Sequence, residues 1–205
     1  MPHQEQIPFN INPIGLDKFF LKLKERFEAL QFNCDDNGVI TTINLFDIDT
    51  IFLAFKDFND KRDFVNKDKP IAKGYHLDVR DLRPNGDWKS TAFLYEHSPR
   101  VTRKRDGKTE LDLSFVVSYQ KKLLIPDFES QMSEKLYNIV EQTIANLKLN
   151  NKDIQTFTNR DTVFQDFSID YQNTKFTNEF NHFRMRFKVD VDVYCTGSQN
   201  ITFYK

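Results

Sequence analysis

The spacing of apolar residues predicts two amphipathic helices. Apolar side chains recur every three to four positions over residues 16–31, which is the period of a helix that buries one face. Lys22 and Glu25 fall on the opposite side of this first helix. The same period returns from Phe128 to Leu149, and Asp127 stands where a helix N-cap is expected. We therefore expect two helices that each pack one face against a shared core.

Alternation of apolar and polar residues predicts strands elsewhere in the chain. Residues 183–193 give the clearest case, because apolar residues alternate there with charged ones, and residues 111–119 repeat the pattern. Residues 91–96 predict a short strand, residues 75–80 alternate as well, and residues 39–58 predict one or two strands. Such alternation is typical of antiparallel strands with one face on the core and one in water.

Proline, glycine and clustered charge mark the remaining segments. Residues 1–15 contain three prolines and one glycine, so they predict an extended arm rather than a helix. Residues 59–73 are dense in Lys and Asp and predict a solvated loop. Turns are expected at Asn37-Gly38, at residues 84–87 and at Asp106-Gly107.

The order of these elements predicts an α+β fold. We expect an antiparallel β-sheet, arranged as a sandwich-like meander that closes in a β-hairpin, with two main helices packed on it. The arm covers residues 1–15, and residues 16–205 form a single α+β domain. A chain of 205 residues is long enough to bury a core without disulfide support.

Composition narrows the classes of partner. The net charge of -1 gives no overall attraction to nucleic acid or to an anionic membrane. The two cysteines, Cys34 and Cys195, make no disulfide framework. The first residues lack the order of a signal peptide, and no apolar run approaches the ~20 residues that span a bilayer. We expect a protein made in the cytoplasm with no membrane partner.

Few residues suggest catalytic chemistry. His76, Asp78 and Arg80 share one face of a predicted strand, where they would bind an anion or transfer protons, or simply form its solvated side. Phosphate-binding glycine patterns and the GxSxG nucleophile motif are absent from the sequence. The other histidines occur singly, without metal-ligand spacing: His3, His97 and His182. We therefore predict a protein that is not an enzyme, with no catalytic residues, no cofactor and no metal.

A basic hairpin is the sharpest local feature. Five positive charges fall within nine residues of a nearly neutral chain: Arg100, Arg103, Lys104, Arg105 and Lys108. This hairpin would contact a phosphate backbone or the acidic loops of a partner, or it would form a solvated tip.

The last predicted strand has a bipolar face. Its positive end and its negative end comprise Arg184, Arg186, Lys188, Asp190 and Asp192. A bipolar face suits head-to-tail packing of identical subunits, although a mixed-charge surface that prevents aggregation has the same pattern. With the arm residues Ile7, Phe9 and Ile11, these positions form our candidate subunit interface.

The second half of the chain, from about Thr91 to Tyr194, resembles the tail terminator and neck proteins of tailed bacteriophages. The resemblance lies in the strand at 111–119, the helix at 128–149, the segment Phe164–Phe167, and residues 175–180 that lead into the last strand. In that family, a central strand is followed by a long helix, a short phenylalanine-containing segment and a final amphipathic strand. The family's fold is a small α+β sandwich that usually assembles as a hexameric ring.

The resemblance implies a structural protein of the virion tail or neck, made in the host cytoplasm. Its partners would be copies of itself in a ring, the tail tube and the neck or connector proteins, and its basic hairpin would face a neighbouring ring or the DNA in the lumen. A head–tail connector or baseplate adaptor of the same fold would share these features. Two hypotheses of a different class are a nucleic-acid-binding accessory protein that uses residues 100–108 and an enzyme centred on His76 and Asp78.

Overall fold

The computed structural model describes ten stretches of the chain: 15–36, 39–46, 50–56, 70–72, 89–97, 102–104, 106–120, 131–147, 154–166 and 180–192. The helices in these stretches are α1 (Gly15–Glu28), α2 (Gln131–Ala145) and the single turn α3 (Arg160–Val163). The strands are β1 (Gln31–Asp36), β2 (Val39–Asn44), β3 (Ile51–Lys56), β4 (Pro70–Ala72), β5 (Ser90–Glu96), β6 (Thr102–Arg103), β7 (Lys108–Gln120), β8 (Gln155–Phe157) and β9 (Phe180–Asp192).

Seven strands form one mixed sheet in the order β4-β3-β5-β7-β9-β8, with β6 beside β7. The two 13-residue strands β7 and β9 pair antiparallel along their whole length, from Lys108↔Asp192 to Gln120↔Phe180. β1 and β2 make a separate two-stranded hairpin. The fold is therefore α+β, as the sequence predicted.

The expected wholly antiparallel meander is wrong at one position, because β3 and β5 are parallel. After β3 the chain reverses into β4 at the sheet edge, and it reverses again to place β5 on the other side of β3. Two reversals leave β5 running in the same direction as β3. The described residues form one sheet and one hairpin, which is not in itself a sandwich, and residues 1–14 of the predicted arm lie outside the described stretches.

One face of the sheet carries the main core. Phe20, Leu23 and Phe27 of α1 are buried there, and α2 contributes Leu136, Val140 and Ile144. Both sets repeat every three to four residues, which confirms the helices predicted from periodicity. At the centre of this core the rings of Phe27 and Phe115 lie 4.9 Å apart, measured between centroids.

The opposite face is covered by α3 and the residues beside it. Together with the edge strand β8, which belongs to the sheet itself, they form residues 154–166, the covering segment. Val163 and Phe164 of this segment are buried against Phe93 and Val116 of the sheet. β7 was expected to be half-buried, but from Leu113 to Gln120 it is buried on both faces. The prediction failed because it allowed for only one layer of cover.

Several element ends differ from the sequence predictions, and the second helix ends at Ala145 rather than at residue 149. The first helix ends at Glu28 rather than at residue 31, since the chain enters β1 at Gln31. The loop predicted over 59–73 is wrong at its end, where Pro70–Ala72 pairs with β3. The predicted strand at 75–80, the turn at 84–87 and the N-cap at Asp127 lie outside the described residues. Within the described stretches, no helix combines the length and apolar character needed to cross a membrane.

Candidate functional site

A single carboxylate joins the covering segment to the sheet. Asp166 Oδ2 accepts hydrogen bonds from Tyr95 Oη at 2.7 Å and Arg184 Nη1 at 2.7 Å, and His97 Nδ1 lies 2.8 Å from it. An ionised carboxylate only accepts hydrogen bonds, so Nδ1 is the protonated nitrogen of the His97 ring. These four residues form the carboxylate cluster, and they are the candidate site.

Strand geometry and helix capping place the members of the cluster. Strand alternation directs Tyr95 to the covered face, and the backbone N–H of His97 donates to the carbonyl of Asp112 at 2.8 Å. Asn159 caps α3, because its side-chain oxygen accepts the N–H of Asp161 at 3.1 Å. That short helix leads directly to Phe164, which is buried against the sheet, and to Asp166.

Arg184 is the most deeply buried charge of the cluster, with 0% of its surface exposed. In the β8–β9 pair it stands opposite Phe157, whose ring centroid lies 4.5 Å from the guanidinium carbon. The alternating pattern of β9 predicted an exposed position for Arg184. The structure corrects this, because the covering segment lies over that part of the strand.

Burial raises the pKa of the Tyr95 phenol well above its ordinary value, and the charge of Asp166 and its hydrogen bond to the phenol add to the shift. The neutral phenol is therefore the form that the folded cluster stabilises. Ionised Tyr95 would place a second negative charge beside Asp166.

The stability of the protein is expected to fall as pH rises above about 10, the ordinary pKa of tyrosine. The unfolded chain loses the Tyr95 proton first, so this one site should lower the free energy of unfolding by at most ~1.4 kcal/mol per pH unit. Urea denaturation of the wild type and of Tyr95→Phe at pH 9, 10 and 11 checks this. An equal decline in the free energy of unfolding of both proteins would show that Tyr95 does not contribute to the pH dependence.

A row of ion pairs continues along the same face, beyond the carboxylate cluster. Arg186 holds Asp112 through two hydrogen bonds, Nε to Oδ1 at 2.9 Å and Nη2 to Oδ2 at 2.5 Å. Burial opposes ionisation of Asp112, but the hydrogen bonds and charge of Arg186 outweigh it, so the pKa of this carboxyl lies below its ordinary value. Lys188 and Lys104 both contact Glu110, at 3.0 Å and 3.2 Å. We call these residues, with Asp190, the charged row.

Three of the eight candidate interface residues, Arg186, Lys188 and Asp190, form ion pairs within the chain as members of the charged row. Lys104 contacts Asp190 at 2.6 Å, and Arg186 is occupied by Asp112. Lys188 keeps 54% of its side chain exposed, so it is the interface candidate that solvent reaches most readily among those whose side chains are described. Asp192 ends β9, and Ile7, Phe9 and Ile11 lie outside the described residues.

The basic hairpin has the predicted turn. Gly107 has a φ of 80°, and the backbone N–H of Lys108 donates to the Asp106 carboxylate at 3.1 Å. Lys104 is engaged in the charged row, whereas Lys108 lies 3.9 Å from Asp106 in an exposed pair. Arg103 ends β6, and Arg100 and Arg105 lie outside the described residues, as do His76, Asp78 and Arg80.

The carboxylate cluster was not predicted from the sequence. His97 looked like an isolated histidine, and Asp166 and Arg184 lie far from it along the chain. One usable signal was Phe164-Gln165-Asp166-Phe167, where an acidic residue stands among aromatic residues. His182, also predicted to be isolated, lies with its Nδ1 2.8 Å from the Ser118 hydroxyl.

Neither a metal site nor a known relative assigns a role to this cluster. In the stretches that the structure describes, no three His, Cys, Asp or Glu residues are grouped as a metal site would require. The chain matches no protein-family model, and comparisons with curated proteins and with solved structures gave no match.

Proposed function

We propose that this protein is a structural component of the virion of a tailed bacteriophage, a tail terminator or neck protein that forms a ring, caps the tail tube and joins it to the head. The observation that carries the proposal is the order β7, α2, covering segment, β9. This is the order of strand, long helix, phenylalanine-containing segment and final strand through which the sequence resembles that family.

The packing of these elements suits a load-bearing subunit. β7 and β9 lie side by side in the sheet, with the helix-facing core on one face and Phe157 and Phe164 on the other. Strands that are covered on both faces can unfold locally only if both covering layers separate from the sheet. Regions of dense burial therefore have the highest local stability. A ring that closes a tube needs such a stable frame beneath its contact surfaces.

Subunit contacts in the ring are proposed to come from the arm at 1–15 and from the exposed part of the charged row. Ile7, Phe9 and Ile11 would dock on a neighbouring subunit, with Lys188 at the rim of that contact. The separate β1–β2 hairpin would join a sandwich-like second layer. A rim charge such as Lys188 influences the rate of association and its salt dependence more than the affinity.

The basic hairpin is proposed to face a neighbouring ring or the DNA in the lumen. Its turn is well formed, and Lys104, which adjoins the turn, forms ion pairs with Glu110 and Asp190. These ion pairs orient the hairpin relative to β9, so the remaining basic residues near the turn would be presented in a fixed direction.

The solution mass tests the proposed ring. Light scattering at low and at physiological salt is expected to give a discrete oligomer, about six times 24.4 kDa for a hexamer, or a monomer that assembles on added tail tubes. The triple variant Ile7→Asn, Phe9→Asn, Ile11→Asn should lose assembly, because its arm can no longer bury apolar surface. The matched control is Lys22→Asn, an exposed change on α1 that should leave assembly intact.

The opposite result would be a strict monomer that ignores tail tubes. If that monomer also bound DNA in a salt-dependent manner, and lost binding when Arg103, Lys104 and Arg105 were neutralised, the accessory nucleic-acid-binding function would replace the ring.

A further inference from the structure

The guanidinium of Arg184 has only part of its hydrogen-bonding capacity satisfied. Nη1 donates to Asp166 at 2.7 Å and lies 3.3 Å from the Tyr95 hydroxyl. Nε and Nη2 are buried and have no hydrogen-bond partner among the described residues. Buried donors on a charged group are costly to leave unsatisfied, and in native proteins they generally bind a water, an ion or a ligand.

The two unsatisfied donors lie on one edge of the planar guanidinium. Arg186, two residues further along β9, uses the same two nitrogens to hold both oxygens of the Asp112 carboxylate, at 2.9 Å and 2.5 Å. The chain itself therefore shows which acceptor fits this edge. Two parallel N–H donors match the two oxygens of a carboxylate in spacing and in plane.

We propose that the Nε–Nη2 edge of Arg184 is a binding site for a small monocarboxylate. The site does not depend on the proposed virion function. Asp166 would stay on the Nη1 side of the guanidinium, where Tyr95 and His97 also contact its Oδ2 oxygen. Those contacts spread the negative charge of Asp166, which lessens its repulsion of a second carboxylate on the other edge.

Burial limits the size of the ligand and indicates its route. Because Arg184 is fully buried, we assign the site to the smallest carboxylates, formate and acetate. Beside Arg184 lies the three-residue strand β8, where Gln155 and Thr156 are exposed and Phe157 is half-buried over the guanidinium. Displacement of Phe157 would expose the guanidinium of Arg184, because the Phe157 ring lies over it and the two residues are opposite one another in the β8–β9 pair.

Thermal unfolding in sodium formate or acetate, against sodium chloride at equal ionic strength, tests the site. The wild type is expected to show a saturable rise in Tm with either carboxylate and none with chloride, since a ligand that binds only the folded state stabilises it. Arg184→Lys keeps the charge beside Asp166 but lacks the paired donors, so its affinity should fall at least about tenfold. Arg186→Lys makes the same change in the charged row and should keep the response.

A second measurement covers the case in which Arg184→Lys does not fold. Saturation-transfer NMR on the native wild type should show magnetisation passing from the protein's aromatic protons to formate or acetate, with competition between the two ligands. The proposal is overturned if the wild type shows no saturable carboxylate response by either method. It is also overturned if folded Arg184→Lys responds as strongly as Arg186→Lys.

Discussion

Replacing Asp166 by alanine is expected to lower the free energy of unfolding by about 3–5 kcal/mol, the range found when one partner of a buried ion pair is removed. The variant leaves the guanidinium of Arg184 fully buried without its carboxylate at 2.7 Å. Tyr95 and His97 lose the same acceptor. The measurement is equilibrium urea denaturation at neutral pH, followed by circular dichroism.

Two further variants show whether the effect comes from the uncompensated charge. Gln165→Ala changes an exposed neighbour and should stay within about 0.5 kcal/mol of the wild type. The double variant Asp166→Leu, Arg184→Met should recover most of the lost stability, since apolar replacement of both partners of a buried pair is often neutral. A loss below ~1 kcal/mol for Asp166→Ala would mean that water reaches Arg184 and that the covering segment is not held by this carboxylate.

Replacing Phe115 by alanine is expected to cost about 3–5 kcal/mol, through lost burial and the cavity that remains. Phe115 is fully buried in β7, and its ring lies 4.9 Å from that of Phe27, so the sheet loses a principal contact with α1. For a protein of this size, the loss corresponds to a fall in Tm of about 6–20 °C. Differential scanning calorimetry measures it.

The conservative variant Phe115→Leu is the matched control, because it keeps most of the apolar volume. Its cost should be clearly smaller than that of alanine if the effect follows the size of the cavity. Equal losses for the two variants would instead indicate that the aromatic contact with Phe27 carries the stability.

Local sequence pattern was sufficient for the faces that meet the main core. Phe20, Leu23 and Phe27 repeat at helical spacing because one side of α1 meets the sheet, and β9 alternates because one of its faces meets the same core. Pairing between strands was harder to predict. The residues of β3 do not by themselves specify that β5 lies parallel to this strand. The direction of β5 depends on the position of β4 and on the passage of the chain to the other side of β3.

The candidate site was beyond the reach of local pattern for a related reason. Alternation in β9 reports which residues differ in polarity, but it does not report whether a second layer covers the polar face. The covering segment is itself rich in polar residues, with Val163 and Phe164 as its buried contacts, so it showed no strong sign of a core. Arg184 therefore had the sequence signature of a surface residue and the environment of an interior one.

The pairing of β7 with β9 has a consequence for synthesis of the chain. The ribosome makes β7 before β9, and α2 and the covering segment lie between these two strands in the chain. β9 is therefore not available to β7 until residue 180 and those after it have been synthesised. During that interval one edge of β7 can pair with β5. The other edge, in a stretch that contains Phe115 and Val117, has no strand to pair with. Unpaired apolar edges attract other chains, so the nascent protein should be most prone to aggregation in this window and should depend then on a chaperone that covers extended apolar segments.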